Sequence, residues 1–419
     1  MTETLFSPLT IGKLELPGRI FKTATSETRG SEDGFVTDEL LDFYAPIAWA
    51  GTPLIITGNL YISVQGKSTY RMCGIDNDDK IPGLTRWTEL AHQYGSRIFA
   101  QINHCGRQMN PDVIGVKEAL APSAVRDKAM LTKPRAMTLN EIEEVIEDHV
   151  AAVVRAQKAG FDGVQIHMAH GYLLSEFLTP QTNRRKDQYG GSLENRMRLP
   201  LEVLRAVRKR VGPDYPVIAK LNGADLLLQG KGLDTDELVQ VAQALQAEGL
   251  DGIEISCGHY ESGFPMICGR FDGFLEAQVA EGAGKYLPAP MRMAAKLGAK
   301  ALAKRANKAW PTREGFNGDF SRQFKAALDI PVICVGGFHT REAMEQAINS
   351  GVCDAVSIAR AMIADPFLVQ HLREGVEGPQ CDFCNGCIAR AGGSPVDCYN
   401  DKLRPARQAM LKEAGFDRM

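Results

Sequence analysis

No apolar run in this 419-residue chain approaches the roughly 20 residues that a bilayer span needs, so a membrane-spanning protein is not expected. The opening stretch, MTETLFSPLT, has neither the basic segment nor the apolar core of a secretory signal, which predicts a cytoplasmic location. An excess of one charge is missing as well. Lys and Arg number 48 against 51 Asp and Glu, a net of -3, which offers no electrostatic footing for nucleic acid. There is no low-complexity linker, and no repeat beyond an alternation of strand-like and helix-like segments. No glycine-rich dinucleotide fingerprint follows the first strand-like run, which argues against a doubly wound sheet. Ten cysteines without a signal segment predict free thiols in a reducing compartment rather than disulfides.

The chain does contain eight short, β-branched apolar runs. They are RIFKTAT from Arg19, PLIITGN from Pro53, RIFAQIN from Arg97, GVQIHM from Gly163, PVIAKLN from Pro216, GIEISC from Gly252, PVICVGG from Pro331 and AVSIAR from Ala355. They are continuously apolar, as strands buried on both faces are. Helical patterns fall between many of them. In TLNEIEEVIEDHVAAVVRAQKAG, Thr138 or Asn140 can cap, apolar residues recur from Ile142 to Val153, and Gly160 ends the pattern. Eight alternations of this kind predict an α/β fold, a (β/α)8 TIM barrel. Polar or glycine-rich sequence follows almost every run, and in a barrel those ends share the C-terminal rim where active sites are built.

Two parts exceed a minimal barrel. A long insertion, about residues 258–317, separates the sixth and seventh runs and contains the basic stretch APMRMAAKLGAKALAKRANKAW. A solvated excursion or subunit contact is the expectation for it, with a membrane-surface helix as the alternative. A Cys-rich C-terminal tail follows the barrel. The division expected is 1–373 for the barrel and 374–419 for the extension.

His167, His170 and Tyr172 crowd the end of the fourth run. Two neutral imidazoles can both donate to one carbonyl oxygen and stabilise charge that develops there, and a phenol adds a proton donor. Metal ligation, or satisfied rim residues, is the competing account. After the seventh and eighth runs, Gly336 and Gly337 allow close backbone approach and Arg360 adds a fixed positive charge, which is where barrels commonly bind phosphate. An ordinary glycine turn is the alternative. Phosphate next to carbonyl-polarising groups suggests a flavin or a pyridoxal enzyme; for the latter, Lys220 is the strand-end lysine best placed for a Schiff base.

The stretches HMAHGYLLSEFLTPQTNRRKDQYGGSLENRMR, FAQINHCGRQ and FSPLTIGKLELPGRI together resemble the old yellow enzyme family of FMN-dependent oxidoreductases, from about Leu5 to Phe367. The resemblance implies an N-terminal hairpin closing the barrel bottom. It implies main-chain contact of Thr23, Ala24 and Thr25 with FMN, and Ser26 beside its redox-active face. Gly58 and Gln101 are then expected against the ring system. Lys220 falls where many relatives place an arginine, and acts as a point charge rather than a fork. Gly337, Ala359 and Arg360 match the phosphate site. Activity by resemblance is NAD(P)H-dependent reduction of an α,β-unsaturated carbonyl compound. His167 and His170 would hold the carbonyl and Tyr172 would give the proton, with Tyr61 and Tyr260 next in line as donors. A homo-oligomer fits such a protein, and a flavin-binding redox sensor without turnover is the non-enzyme alternative.

Cys381, Cys384, Cys387 and Cys398 give C-x2-C-x2-C-x10-C, a spacing that can wrap a [4Fe–4S] cluster. The subfamily of trimethylamine dehydrogenase and 2,4-dienoyl-CoA reductase carries a closely similar run as its cluster site. An amine or enoyl-CoA-type oxidoreductase fed through that cluster is therefore the alternative activity. A chain ending at Met419 would then need an outside electron partner. Structural zinc, or no metal at all, are the other readings of the four thiols.

Overall fold

The computed structural model describes residues 4–416. All eight runs are strands: Ile20–Lys22, Leu54–Ile56, Arg97–Asn103, Gly163–Met168, Val217–Asn222, Gly252–Ser256, Val332–Val335 and Ala355–Ile358, here numbered first to eighth. Each is parallel to its neighbour, and Val356 of the eighth pairs with Ile20 of the first, which closes the barrel. The TIM barrel expected from the alternation is what forms.

The two-residue period of a strand sorts the barrel interior into layers. Phe21, Phe99, Ile218, Ile333 and Ala355 cluster at the bottom with Ile11 and Leu16. Those last two come from the antiparallel hairpin of Leu9–Ile11 and Leu14–Leu16, which plugs that end. Two residues further along the same strands the chain turns polar, at Thr23, Gln101, Lys220 and Ser357, and Glu254 on the sixth strand joins them. All five are buried.

Helices cover the outside because their starts and stops are written locally. Thr138 caps Leu139–Lys158 in a capping box with Glu141, so it is Thr138 rather than Asn140 that starts this helix. Gly160 then turns the chain at φ +87°. Asp234 and Thr340 cap Thr235–Ala247 and Arg341–Asn349 by accepting from the N–H groups of Glu237 and Ala343.

The insertion holds two main helices, Phe274–Ala280 and Ala289–Ala309. The longer one buries Ala303 and Ala306 in a small cluster with Phe271, Phe274 and Ala389 of the tail. Its opposite face carries Met293 and Leu297, 64% and 85% exposed. The tail crosses back to the barrel, where the Val396 N–H donates to Glu27 O at 2.7 Å and Arg29 donates to Val396 O at 2.8 Å. No helix among the described residues is long and apolar enough to cross a membrane. None of the ten cysteines forms a disulfide in this structure.

Candidate active site

At the C-terminal rim a cavity of about 280 Å³ opens between the ends of the strands, the insertion and the tail. Thr23, Ala24, Thr25 and Ser26 border it from the first strand, Lys220 from the fifth, and Gly337, Ala359 and Arg360 from the seventh and eighth. His170 and Tyr172 border it from the fourth strand end. His167, Gly58, Gln101 and Gly336 stand outside this lining.

The fourth strand delivers its three groups as a stack. His167 lies edge-on to His170 at 5.1 Å between ring centroids and edge-on to Tyr172 at 4.9 Å. The chain achieves this by a tight reversal after the strand, with His170 at φ +63° and Gly171 at φ +78°. A non-glycine residue there is strained, and the surroundings hold it. The His170 N–H donates to Asn222 Oδ1 at 3.1 Å, while its carbonyl accepts from Gln108 Nε2 at 2.8 Å and from the Tyr260 N–H at 3.1 Å. At Gly171 a Cβ would lie 2.5 Å from Gln108 and 2.7 Å from His259, so only glycine fits.

Both imidazoles are neutral. Burial holds His167 well below the usual histidine range, and His170 and Lys220 reinforce that. Burial brings His170 down to about 3, with Lys220 and His259 adding to it. The Ala169 N–H donates to His167 Nδ1 at 3.3 Å, so the ring proton sits on Nε2. His170 Nε2 lies 2.7 Å from Ser256 Oγ. Burial raises the Tyr172 phenol, which therefore keeps its proton, and Asn59 hydrogen-bonds it.

Below the cavity the polar layer of the barrel is one connected network. Lys220 Nζ donates to Thr23 Oγ1 at 2.9 Å and pairs with Glu254 Oε2 at 3.1 Å. Glu254 also accepts from Thr23 Oγ1 at 2.5 Å, from Gln165 Nε2 at 2.7 Å and from Ser357. Gln101 enters this network rather than the cavity, donating to Gln165 Oε1 at 2.6 Å. Gly58 serves its neighbours too. Its N–H donates to Glu27 Oε1 at 2.7 Å, and a Cβ there would fall 1.9 Å from that carboxyl.

At the expected phosphate end, Gly337 adopts φ +74°. The N–H groups of Gly337 and Phe338 donate to no protein acceptor among the described residues. Gly336 stays clear of the cavity and packs on the insertion instead, where a Cβ would meet Asn317 N at 3.0 Å. Arg360 is buried and stacks on Phe383; among the described residues it hydrogen-bonds only through Nη1, to Cys268 O at 2.8 Å and Asn385 Oδ1 at 2.6 Å. Two cations, open backbone donors and otherwise mainly apolar walls suit a planar cofactor with an anionic arm, and so fit FMN. The Schiff-base alternative loses ground, because the Lys220 amine is already paired.

No local sequence pattern marks Ser256, Asn222, Gln108 or Glu254. Ser256 was visible only as one polar strand end among several, and Glu254 as an acid inside an apolar strand. Of the two spare phenols, Tyr260 borders the cavity. Tyr61 does not, and its hydroxyl donates to Asp33 O at 2.9 Å and accepts from Lys80 at 2.6 Å.

The four tail cysteines are close enough to act electrostatically on one another, and Cys387 together with Phe383 and Val396 forms part of the cavity wall. Burial raises all four thiols, Cys381 to about 11 and Cys387 to about 12. Among the described residues no group of three or more Cys, His, Asp or Glu is already arranged to hold a metal ion.

A TIM barrel with this rim suits an enzyme that uses a phosphate-bearing cofactor. The chain matches the NADH:flavin oxidoreductase / NADH oxidase family over residues 4–264 and 277–378, and it belongs to that family, whose cofactors are FMN and NAD(P)H. It is 36% identical over 92% of its length to an NADH oxidase of Thermoanaerobacter brockii, covering 53% of that protein. A 4,4'-dithiodibutanoate disulfide reductase of Rhodococcus erythropolis is 33% identical, with 92% of this chain and 93% of that protein aligned. Among solved structures, 2-naphthoyl-CoA reductase in complex with 2-naphthoyl-CoA superposes with a TM-score of 0.79 at 26% identity, over 92% of this chain and 54% of that one. The chain thus spans about half the length of the first and third of these, and nearly all of the second.

Proposed function

We propose that this protein is an NAD(P)H-dependent FMN enzyme that reduces the activated C=C bond of a small α,β-unsaturated carbonyl compound. The observation that carries the reading is the neutral His170 and protonated Tyr172 at the cavity edge, with the neutral His167 ring edge-on to both. FMN, when bound, supplies the hydride that originates from NAD(P)H.

The remaining tasks fall to side chains of this protein. Thr23, Ala24, Thr25 and Ser26 would hold the ring system, Lys220 would supply a positive charge beside it, and Gly337, Ala359 and Arg360 would hold the phosphate. The His167 Nε2–H and the His170 imidazole donate to the substrate carbonyl, and both bonds strengthen as negative charge builds on that oxygen. Ser256 Oγ, 2.7 Å from His170 Nε2, holds the orientation of that ring. Tyr172 delivers a proton to the α-carbon. Substrate and nicotinamide use the same cavity in turn, which makes turnover ping-pong.

Purified protein should be yellow and should release FMN, not FAD, on denaturation. Anaerobic NAD(P)H should bleach it, and cyclohexenone should restore the colour. Release of FAD, or a reduced flavin that no enone or enoyl ester reoxidises, overturns this reading. Bleaching by NAD(P)H would also dismiss a sensor without turnover.

A second reading rests on Cys387 in the cavity wall. A [4Fe–4S] cluster on Cys381, Cys384, Cys387 and Cys398 would adjoin the flavin site and could pass electrons to an outside partner, as an amine or enoyl-CoA-type oxidoreductase requires. Iron in anaerobically prepared protein would favour it.

A further inference from the structure

The barrel interior beneath the cavity holds a carboxylate that the proposed mechanism leaves without a task. Glu254 is fully buried on the sixth strand, directly across the register from Lys220 on the fifth. Four groups from four strands converge on it: Thr23, Gln165, Lys220 and Ser357. Every one of them is a donor. Such a setting keeps a carboxyl ionised despite burial, and the pKa of Glu254 is indeed lowered against the effect of burial by Lys220 and the three hydrogen bonds. The barrel gains no solvent-facing function from this arrangement. A buried pair of this kind is weak evidence for stability, because desolvation offsets most of the attraction.

Its position suggests another use. Lys220 borders the cavity, whereas Glu254 sits behind it and does not. The charge that Lys220 presents to a bound ring is therefore reduced by a carboxylate 3.1 Å behind the ammonium. Reduction of a flavin adds negative charge to the ring edge that a cation at this position faces. A bare ammonium would hold the reduced form tightly, favouring uptake of hydride and hindering its delivery. A half-neutralised one leaves hydride delivery competitive.

We infer that Glu254 is a positioning residue that sets the reduction potential of the flavin by partly neutralising Lys220, and so divides the driving force between the two half-reactions. The inference rests on the reading above that FMN occupies this cavity. Thr23 belongs to the same device, since it bridges the two: it accepts from Lys220 and donates to Glu254.

The test is the midpoint potential of the bound flavin, measured by anaerobic titration against a reference dye. Glu254→Gln should raise it. The same variant should speed flavin reduction by NAD(P)H and slow reoxidation by cyclohexenone, each by roughly tenfold, the factor set by about 1.4 kcal/mol. Ser357→Ala removes one hydrogen bond but leaves the charge, so its potential should stay at the wild-type value. If Glu254→Gln does not fold, Glu254→Asp withdraws the carboxylate from Lys220 and should raise the potential by a smaller amount. A potential unchanged or lowered in the Glu254 variant that folds overturns the inference, as does an equal shift in Ser357→Ala, which would mark the network as purely structural. These outcomes are separable from failure of the functional reading. A protein that binds no FMN sinks that reading, whereas FMN with an unmoved potential sinks only this one.

Discussion

The end of the fourth strand and the C-terminal tail both carry dense runs of reactive side chains, yet they are built in opposite ways. His167, His170 and Tyr172 arise within six residues, and everything around them is already in place. Strand register sets His167 beside Lys220, and a strained His170 is held by Asn222, Gln108 and the Tyr260 N–H. The tail brings Cys381, Cys384, Cys387 and Cys398 close to one another without completing a metal geometry. Its anchors are long-range contacts, chiefly Asn385 with Arg360 and Val396 with Glu27. A reaction centre made of hydrogen-bond donors must be preorganised by the fold, because its work is lost if it has to rearrange at each turnover. Thiols destined for a metal can take their final geometry from the metal itself.

Removing the phenol should have the largest effect. Tyr172→Phe should slow reoxidation of the flavin by an enone by about 10²- to 10⁴-fold, the usual worth of a general acid. Reduction by NAD(P)H should stay within a few-fold of wild type, since it needs no proton from that side. Anaerobic stopped-flow on flavin absorbance separates the two. Equal slowing of both halves would make Tyr172 structural and turn attention to Tyr260.

A loss of roughly 10²-fold is expected for His167→Ala, in enone binding and hydride delivery together, because the lost bond helps to bind the carbonyl and strengthens as charge develops. The histidines also yield a pH prediction. Their protonation is displaced far downward, to about 3 for His170. The neutral donors are therefore present above that value, and falling pH abolishes them only near it. Enone affinity should consequently be flat from about pH 5 to pH 8; a break near 6.5, the unperturbed histidine value, would show that burial does not control them.

For the tail the expected change is in composition rather than rate. If the four thiols hold a cluster, anaerobically prepared protein should contain about four irons per chain. Cys384→Ser should lower the iron while FMN stays bound, since Cys384 lies outside the cavity lining. An iron-free enzyme of full activity would make the cysteine spacing a remnant.

Arg360→Ala should have the mildest effect, a weakening of FMN retention by roughly tenfold, in line with loss of one charge-assisted contact. The guanidinium also ties the tail through Asn385, so this variant joins the two regions. Flavin released on gel filtration would register the loss. Full retention would leave Arg360 as an anchor for the tail alone.

What the chain determined by itself is the part governed by local rules. Eight apolar runs became eight strands, and Thr138, Asp234 and Thr340 started helices, because burial on both faces and unpaired terminal N–H groups make the same demand wherever they occur. The catalytic candidates were legible for a similar reason: three chemically distinctive residues share one short segment. Only the tertiary structure decided that Gln101 belongs to the buried network, that Gly58 is shaped by Glu27, and that Glu254 stands behind Lys220. It alone put Ser256 against His170 and made Cys387 part of the cavity wall. Those pairs are separated by tens to hundreds of residues along the chain and carry no periodic signal. Barrel closure is what brings inward-facing positions of different strands to hydrogen-bonding distance, and their partners exist only once the ring is complete.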